Sequence, residues 1–211
     1  MNQLERNHRI LDKYIPKEAV PIIAQWVYKY NFKLKVKKSR ASKYGDYRPP
    51  EKKLNHVITI NQDMNKYAFL VTLIHEVAHL CNYDENGTKV KPHGIEWKQH
   101  YRKLMQPFLE TAIFPDNVKL ALTSYMNNPS ASSCSDLSLL RALKAHDNDT
   151  DNVLLESLPV GAVFTYNKKR KFIKGDKLRK RYKCIEQATK KAYLFNPLTE
   201  VAVLEQDTDI A

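Results

Sequence analysis

No run of eighteen apolar residues occurs in the 211-residue chain, and its first ten residues, M-N-Q-L-E-R-N-H-R-I, lack the apolar core of a signal peptide. A membrane span and a cleaved leader are therefore not expected, and the chain reads as soluble and cytoplasmic. Cysteine is scarce as well. Cys81, Cys134 and Cys184 are odd in number, far apart and never in C-x-x-C spacing, which argues against a disulfide framework and a cysteine-built zinc site. Acidic residues are outnumbered, 23 against 35 Lys and Arg, leaving a formal charge of +12. The imbalance lies in the two ends: residues 1–50 hold 12 basic and 4 acidic side chains, residues 151–211 hold 12 and 8, and the middle balances at 11 each. Such a charge favours polyanionic partners, nucleic acid before anionic membrane, with a merely solvated basic surface as the plain alternative.

What is present is a globular composition, 43% hydrophobic and 10% aromatic, in a chain long enough for one good core and a small appendage. The first thirty residues read as packing helices interrupted at Pro16. From Asn31 the period changes to two. Phe32, Leu34 and Val36 alternate with Lys33, Lys35 and Lys37, which predicts a strand with one buried and one strongly basic face. A second strand around Tyr44, Gly45, Asp46 and Tyr47 and a third from His56 to Asn61 follow. Together these predict three antiparallel strands, a sheet whose edge can pair with an extended peptide.

The stretch Tyr67 to Cys81, Y-A-F-L-V-T-L-I-H-E-V-A-H-L-C, carries His75, Glu76 and His79 as H-E-x-x-H. Histidines four apart share one face of a helix, so one metal can take a nitrogen from each while Glu76 stands beside them as a possible base for a metal-bound water. The surrounding Phe69, Leu70, Leu73, Ile74, Val77, Ala78 and Leu80 make the helix apolar nearly all round, as in a domain core. A core seldom takes two histidines and a glutamate unless something pairs with them. Catalytic zinc needs a third protein ligand. His93, followed by Gly94 at a loop-to-helix junction, is the first candidate, with Glu96 as runner-up and Asp84, Glu85 and His100 behind.

The segment from about Lys43 to Trp97, above all L-I-H-E-V-A-H-L followed by H-G-I-E-W-K, resembles the SprT-like family of zinc metalloproteases, which includes the Spartan proteases that degrade proteins trapped on DNA. The resemblance implies a single catalytic Zn2+ held by His75, His79 and His93, with Glu76 as catalytic base. A metzincin is excluded by spacing, since its third histidine would fall at Glu85. The fold implied is α+β: a zincin-like metalloprotease domain of helices and a small antiparallel sheet over residues 1–126, then a linker at 127–152. A small basic β module follows at 153–206, resembling a zinc ribbon that lacks its cysteines, and 207–211 form a tail. Cys134 in the linker reads as an ordinary thiol, Leu137 to Leu143 can form a short helix, and the acidic stretch from His146 to Asp151 reads as a solvated turn rather than a calcium loop.

In the β module, short strands are expected at Val160 to Tyr166, Arg170 to Ile173, Leu178 to Ile185, Ala192 to Phe195 and Val201 to Leu204. Ten basic residues and one acid, Asp176, lie between Lys168 and Lys183. Either phosphates meet these cations while bases stack on Phe172 and Tyr182, or the rings fill a small core and the lysines are only solvated. The leading function is a zinc endopeptidase acting on protein substrates, with DNA, single-stranded or damaged, as partner and no membrane. The alternatives are a nucleic-acid-binding protein with a structural zinc site and a zinc hydrolase of non-protein amides. Tyr83, Tyr101 and the basic residues stay open as donors to a developing oxyanion.

Overall fold

The computed structural model describes residues 8–40, 43–51, 55–131, 136–147, 152–167 and 169–203. Cys134, most of the acidic stretch ending at Asp151 and the C-terminal tail lie outside them. The chain divides into two compact units, Met1–Asp147 and Asn148–Ala211, and the whole is mixed α+β.

In the first unit a helical turn at 8–11 and a short 3-10 turn, Lys17–Ala19, lead into α1 (Val20–Lys29), with Pro21 in the first turn where its missing N–H is not needed. Strands β1 (Phe32–Lys37), β2 (Gly45–Arg48) and β3 (His56–Asn61) follow. Their order is β1-β3-β2, with β2 antiparallel and β1 parallel to the central β3. The expected all-antiparallel sheet is therefore corrected to a mixed one. The cause is the loop after β1. Asn61, at the end of β3, donates from its side-chain amide to the carbonyls of Arg40 and Lys43, and its backbone N–H donates to Tyr44 O. The loop thus crosses the end of β3 and sets β2 on the far side. Alternation of apolar residues reports which face is buried, not which way a neighbour runs.

The long helix α2 (Lys66–Asn86) starts at Asn65, whose Oδ1 accepts the N–H groups of Tyr67 and Ala68 at 3.0 Å each, a typical N-cap. It ends at Gly87, where φ is +60°. Phe69, Leu70, Leu73, Ile74, Val77 and Leu80 are all fully buried, each stabilising the fold by roughly 1.5–3 kcal/mol. Helix α3 (Ile95–Leu109) packs on α2 and buries Trp97, Tyr101, Met105 and Phe108. Helices α4 (Asp116–Met126) and α5 (Leu137–Lys144) complete the unit, and Asp136 caps α5 by accepting the Leu139 N–H at 2.9 Å. Leu139 and Leu143 are part of the same core, so the stretch read as linker contributes a helix to the first unit. The side-chain amide of Asn65 also donates to Leu143 O at 2.9 Å and to Asp147 Oδ1 at 2.6 Å.

The second unit is a six-stranded antiparallel sheet in the order β4-β9-β5-β6-β7-β8. Its strands are β4 (Val153–Leu154), β5 (Val163–Tyr166), β6 (Arg170–Lys177), β7 (Tyr182–Glu186), β8 (Ala192–Phe195) and β9 (Glu200–Val203). Leu155, Phe164, Phe172, Cys184, Phe195 and Val201 form its core. Phe172 meets Phe195 with ring centroids 4.9 Å apart and Phe164 at 5.6 Å, so the ring considered for base stacking is a core residue. Leu178 donates its N–H to Arg181 O at 2.8 Å. The single strand expected from Leu178 to Ile185 is instead a turn carrying Arg179, Lys180 and Arg181, followed by β7. Cys184 is a buried core thiol.

Candidate metal centre

Helix α2 presents His75, Glu76 and His79 toward the loop that opens α3, and that loop brings His93 to them. His75 Nε2 and His79 Nε2 are 3.2 Å apart, and one ligand atom from each of the three histidines lies within 4.8 Å of the others. Among the described residues this is the one group of three or more metal-ligand side chains. His93 Nε2 is buried with no hydrogen-bond partner. The indole of Trp97 lies against all three rings, with centroids 4.8 Å from His75, 5.3 Å from His79 and 4.8 Å from His93. It fixes the imidazoles at the angles at which their nitrogens converge.

The weaker ligand candidates are engaged elsewhere. Asp84 lies 3.3 Å from His56, and Glu85 pairs with His100 at 2.9 Å. Glu96 curls back over its own helix start. A Cβ on Gly94 would lie 2.9 Å from Glu96 Oε2 and 3.1 Å from Lys91 O, so glycine beside His93 serves the tight entry into α3.

Burial, then repulsion from neighbouring imidazoles, pushes the pKa of His75 and His79 down to about 3, and burial lowers that of His93. All three are therefore neutral at physiological pH, with lone pairs free. Glu76 moves the other way. Burial, then the charge of Asp46, raises it to about 8, against the opposing hydrogen bond from the Tyr47 backbone and the charges of Lys43 and Arg40. A buried, unpaired nitrogen within a converging set of neutral imidazoles fits a borderline-soft divalent cation such as zinc.

The cleft over these residues, about 520 Å³, is walled on the sheet side by Gly45, Asp46 and Tyr47 of β2 and on the other by Tyr83, Val90 and Pro92. Gly45 is required by contact. A Cβ there would lie 2.5 Å from Glu76 Oε1 and 2.8 Å from Thr72 Cγ2, so β2 can cross Glu76 only without a side chain at this point. Tyr47 shares a 2.9 Å hydrogen bond between its phenol and His56 Nδ1, on the side away from Asp84. Tyr101 is fully buried behind His75, donating to Val71 O at 3.4 Å, whereas Tyr83 lines the cleft. Sequence reading placed the four central residues but missed Gly45, Tyr47 and Trp97 as parts of the site. A lone glycine inside a strand pattern was the available signal for the first; Trp97 read only as the apolar side of a helix.

Fold and site thus define an α+β domain built around a three-histidine centre of metal-binding type. A family model described as the SprT-like family matches residues 23–120, from α1 into α4. Those residues belong to the SprT-like family, which is of metallopeptidase type. No curated protein and no solved structure matches the chain.

Proposed function

We propose that the protein is a zinc-dependent endopeptidase acting on proteins associated with, or crosslinked to, DNA. The observation that carries this reading is the convergence of His75, His79 and His93 beside a buried carboxyl, all on the wall of an open cleft. Zinc held by the three histidines would supply a Lewis acid that acidifies water and polarises a carbonyl. Glu76, whose pKa lies near neutrality before any cation is present, suits a group that takes up a proton from water and returns it to the leaving amine. The Tyr47 amide holds that carboxylate in place. Strand β2 is an edge of its sheet, and beside Glu76 it offers an extended substrate a template for main-chain pairing. The phenol of Tyr83, at the cleft wall, is the better-placed donor to developing charge than Tyr101, which has no access to the cleft.

A purely structural zinc site has no need of a buried carboxyl, whose ionisation opposes folding; Glu76 therefore favours catalysis over a binding-only reading. The association with DNA is supported by the net charge of +12. Incubating the full chain with a DNA-crosslinked protein tests the reading, with arms lacking DNA or containing a chelator. Cleavage by the wild type, lost with chelator and at least a hundredfold weaker for Glu76→Gln at unchanged zinc content, is expected. Undiminished cleavage by Glu76→Gln would remove the assigned role.

A further inference from the structure

The solvent face of the three-stranded sheet is rich in basic side chains. Along β1, Lys33, Lys35 and Lys37 all point outward and are exposed, opposite Val57, Thr59 and Asn61 of β3. On the other flank, β2 places Arg48 opposite Val57 and Asp46 opposite Thr59. Lys35, Lys37, Lys38, Arg40, Arg48 and Thr59 line a groove of about 540 Å³ on this face. Asp46 is the only acid of the three strands, and it is already taken by Lys43 at 2.7 Å and Arg48 at 3.1 Å.

Arg40 is the informative residue. Its guanidinium lies across the sheet, Nε donating to Asn61 Oδ1 at 2.9 Å and Nη1 to Thr59 Oγ1 at 3.1 Å, with Nη2 3.5 Å from Thr59 O. Every one of these acceptors is neutral. Among the described residues, neither Arg40 nor Lys35 nor Lys37 has a carboxylate partner. A pinned, part-buried cation whose contacts are all to neutral acceptors, with the buried Glu76 the acid its charge acts on, and flanked by a row of lysines, is an anion site awaiting its anion. Same-face residues on a strand recur at roughly 6.6 Å, a repeat comparable with that of phosphates along an extended nucleic-acid strand. Among the described residues none that lines the groove is aromatic, so contact there would be with the backbone and not the bases.

We propose that this sheet face binds the phosphate backbone of a single nucleic-acid strand and holds it one β-strand away from the cleft. Strand β2 is the shared wall: Asp46 and Arg48 belong to the basic face, while Gly45 and the Tyr47 amide border Glu76. A protein attached to the bound strand is then presented to the edge on which the cleft opens. The purpose assigned to the surface rests on the peptidase reading; the surface itself does not.

The test measures binding of the full-length chain to a fluorescein-labelled oligothymidylate by anisotropy across a salt series. With four to five phosphates contacted, the slope of log affinity on log salt should be about −3. Lys35→Glu combined with Lys37→Glu should weaken binding at least tenfold and flatten the slope by about 1.4 with an unchanged melting temperature, and Arg40→Gln should weaken it severalfold. Lys171→Glu with Lys183→Glu, in the second unit, should have the smaller effect. Wild-type affinity in the sheet variants, loss confined to the second-unit variant, absence of oligonucleotide binding by the wild type, or binding only to phosphatidylserine vesicles would each overturn the proposal. Intact binding by a protein that cleaves nothing would count against the peptidase reading and leave this surface standing.

Discussion

Both units bury ionisable side chains, and they treat them in opposite ways. In the second unit Lys174 is 3% exposed, but its ammonium donates to the carbonyls of Leu158 and Glu156 and lies over the Tyr182 ring. Glu186, 5% exposed, accepts from Arg170 at 2.6 Å and from Thr189. These groups are saturated by the fold itself. In the first unit Glu76 is 6% exposed and His75 9%, the imidazoles repel one another if charged, and the two buried side-chain atoms without hydrogen-bond partners among the described residues, His93 Nε2 and Trp97 Nε1, both lie here. Polar groups buried and satisfied serve the fold; polar groups buried and left wanting wait for something the chain does not supply.

The contrast can be broken most sharply at Gly45. Gly45→Ala should lower peptidase activity by about a hundredfold, because displacing Glu76 by a fraction of an ångström disorders the reacting geometry, and should destabilise the first unit by about 1–3 kcal/mol. Kinetics with parallel melting curves read both; normal activity would show that β2 need not approach Glu76 so closely. Next in size is metal removal. Zinc at a thousandfold excess over its dissociation constant should stabilise the first unit by about 4 kcal/mol and leave the second unit unmoved. Amide exchange followed separately in peptides from each unit, with and without chelator, distinguishes them. Equal deprotection of both would erase the distinction.

Glu76→Gln supplies a third test, in the metal-free protein. Because the folded-state pKa of Glu76, about 8, lies above its ordinary value of 4.5, ionisation opposes folding. The penalty is absent below about pH 4.5, grows as pH rises and levels off above about 8. The substitution should therefore stabilise the first unit at pH 8 by roughly 4 kcal/mol relative to its effect at pH 4.5. A denaturation series over pH checks the sign, and a gain at low pH alone would contradict it. The smallest effect concerns Glu186, which the Arg170 guanidinium, then the Thr189 hydroxyl, draw down to about 2. Its stabilisation is complete above the ordinary carboxylate pKa and is lost as pH falls from about 4.5 toward 2. Glu186→Gln should thus weaken the second unit at pH 7 and scarcely at pH 2, read by the same exchange experiment.

The convergence of His75, His79 and His93 was legible because it is local: H-E-x-x-H fixes a helix face, and H-G marks the loop that faces it. The alternation in F-K-L-K-V-K likewise disclosed a basic sheet face. What stayed hidden depends on chain crossing. Nothing in the three strands announces that Asn61 will gather the loop after β1 and reverse the expected pairing, so neither the position of β2 nor the close passage of Gly45 over Glu76 could be read. Trp97 looked like any apolar helix residue because its role arises only when three rings from two elements converge on it. The helix Leu137–Lys144 was foreshadowed by Leu137 to Leu143, but the small, polar segment before it suggested a spacer and hid that the helix packs into the first unit.

Asn65 begins the metal helix and, through the other end of its side chain, holds Leu143 and Asp147. The last turn of the first unit is therefore tied to the first turn of α2. A protein shortened to residue 126 would lose both acceptors and expose the apolar seats of Leu139 and Leu143, so its histidines would stand on a helix with a loosened root. One shortened to residue 147 keeps the latch. For the same reason, tension applied to the chain beyond Asp147 would reach the metal helix at its cap before it reached the histidines.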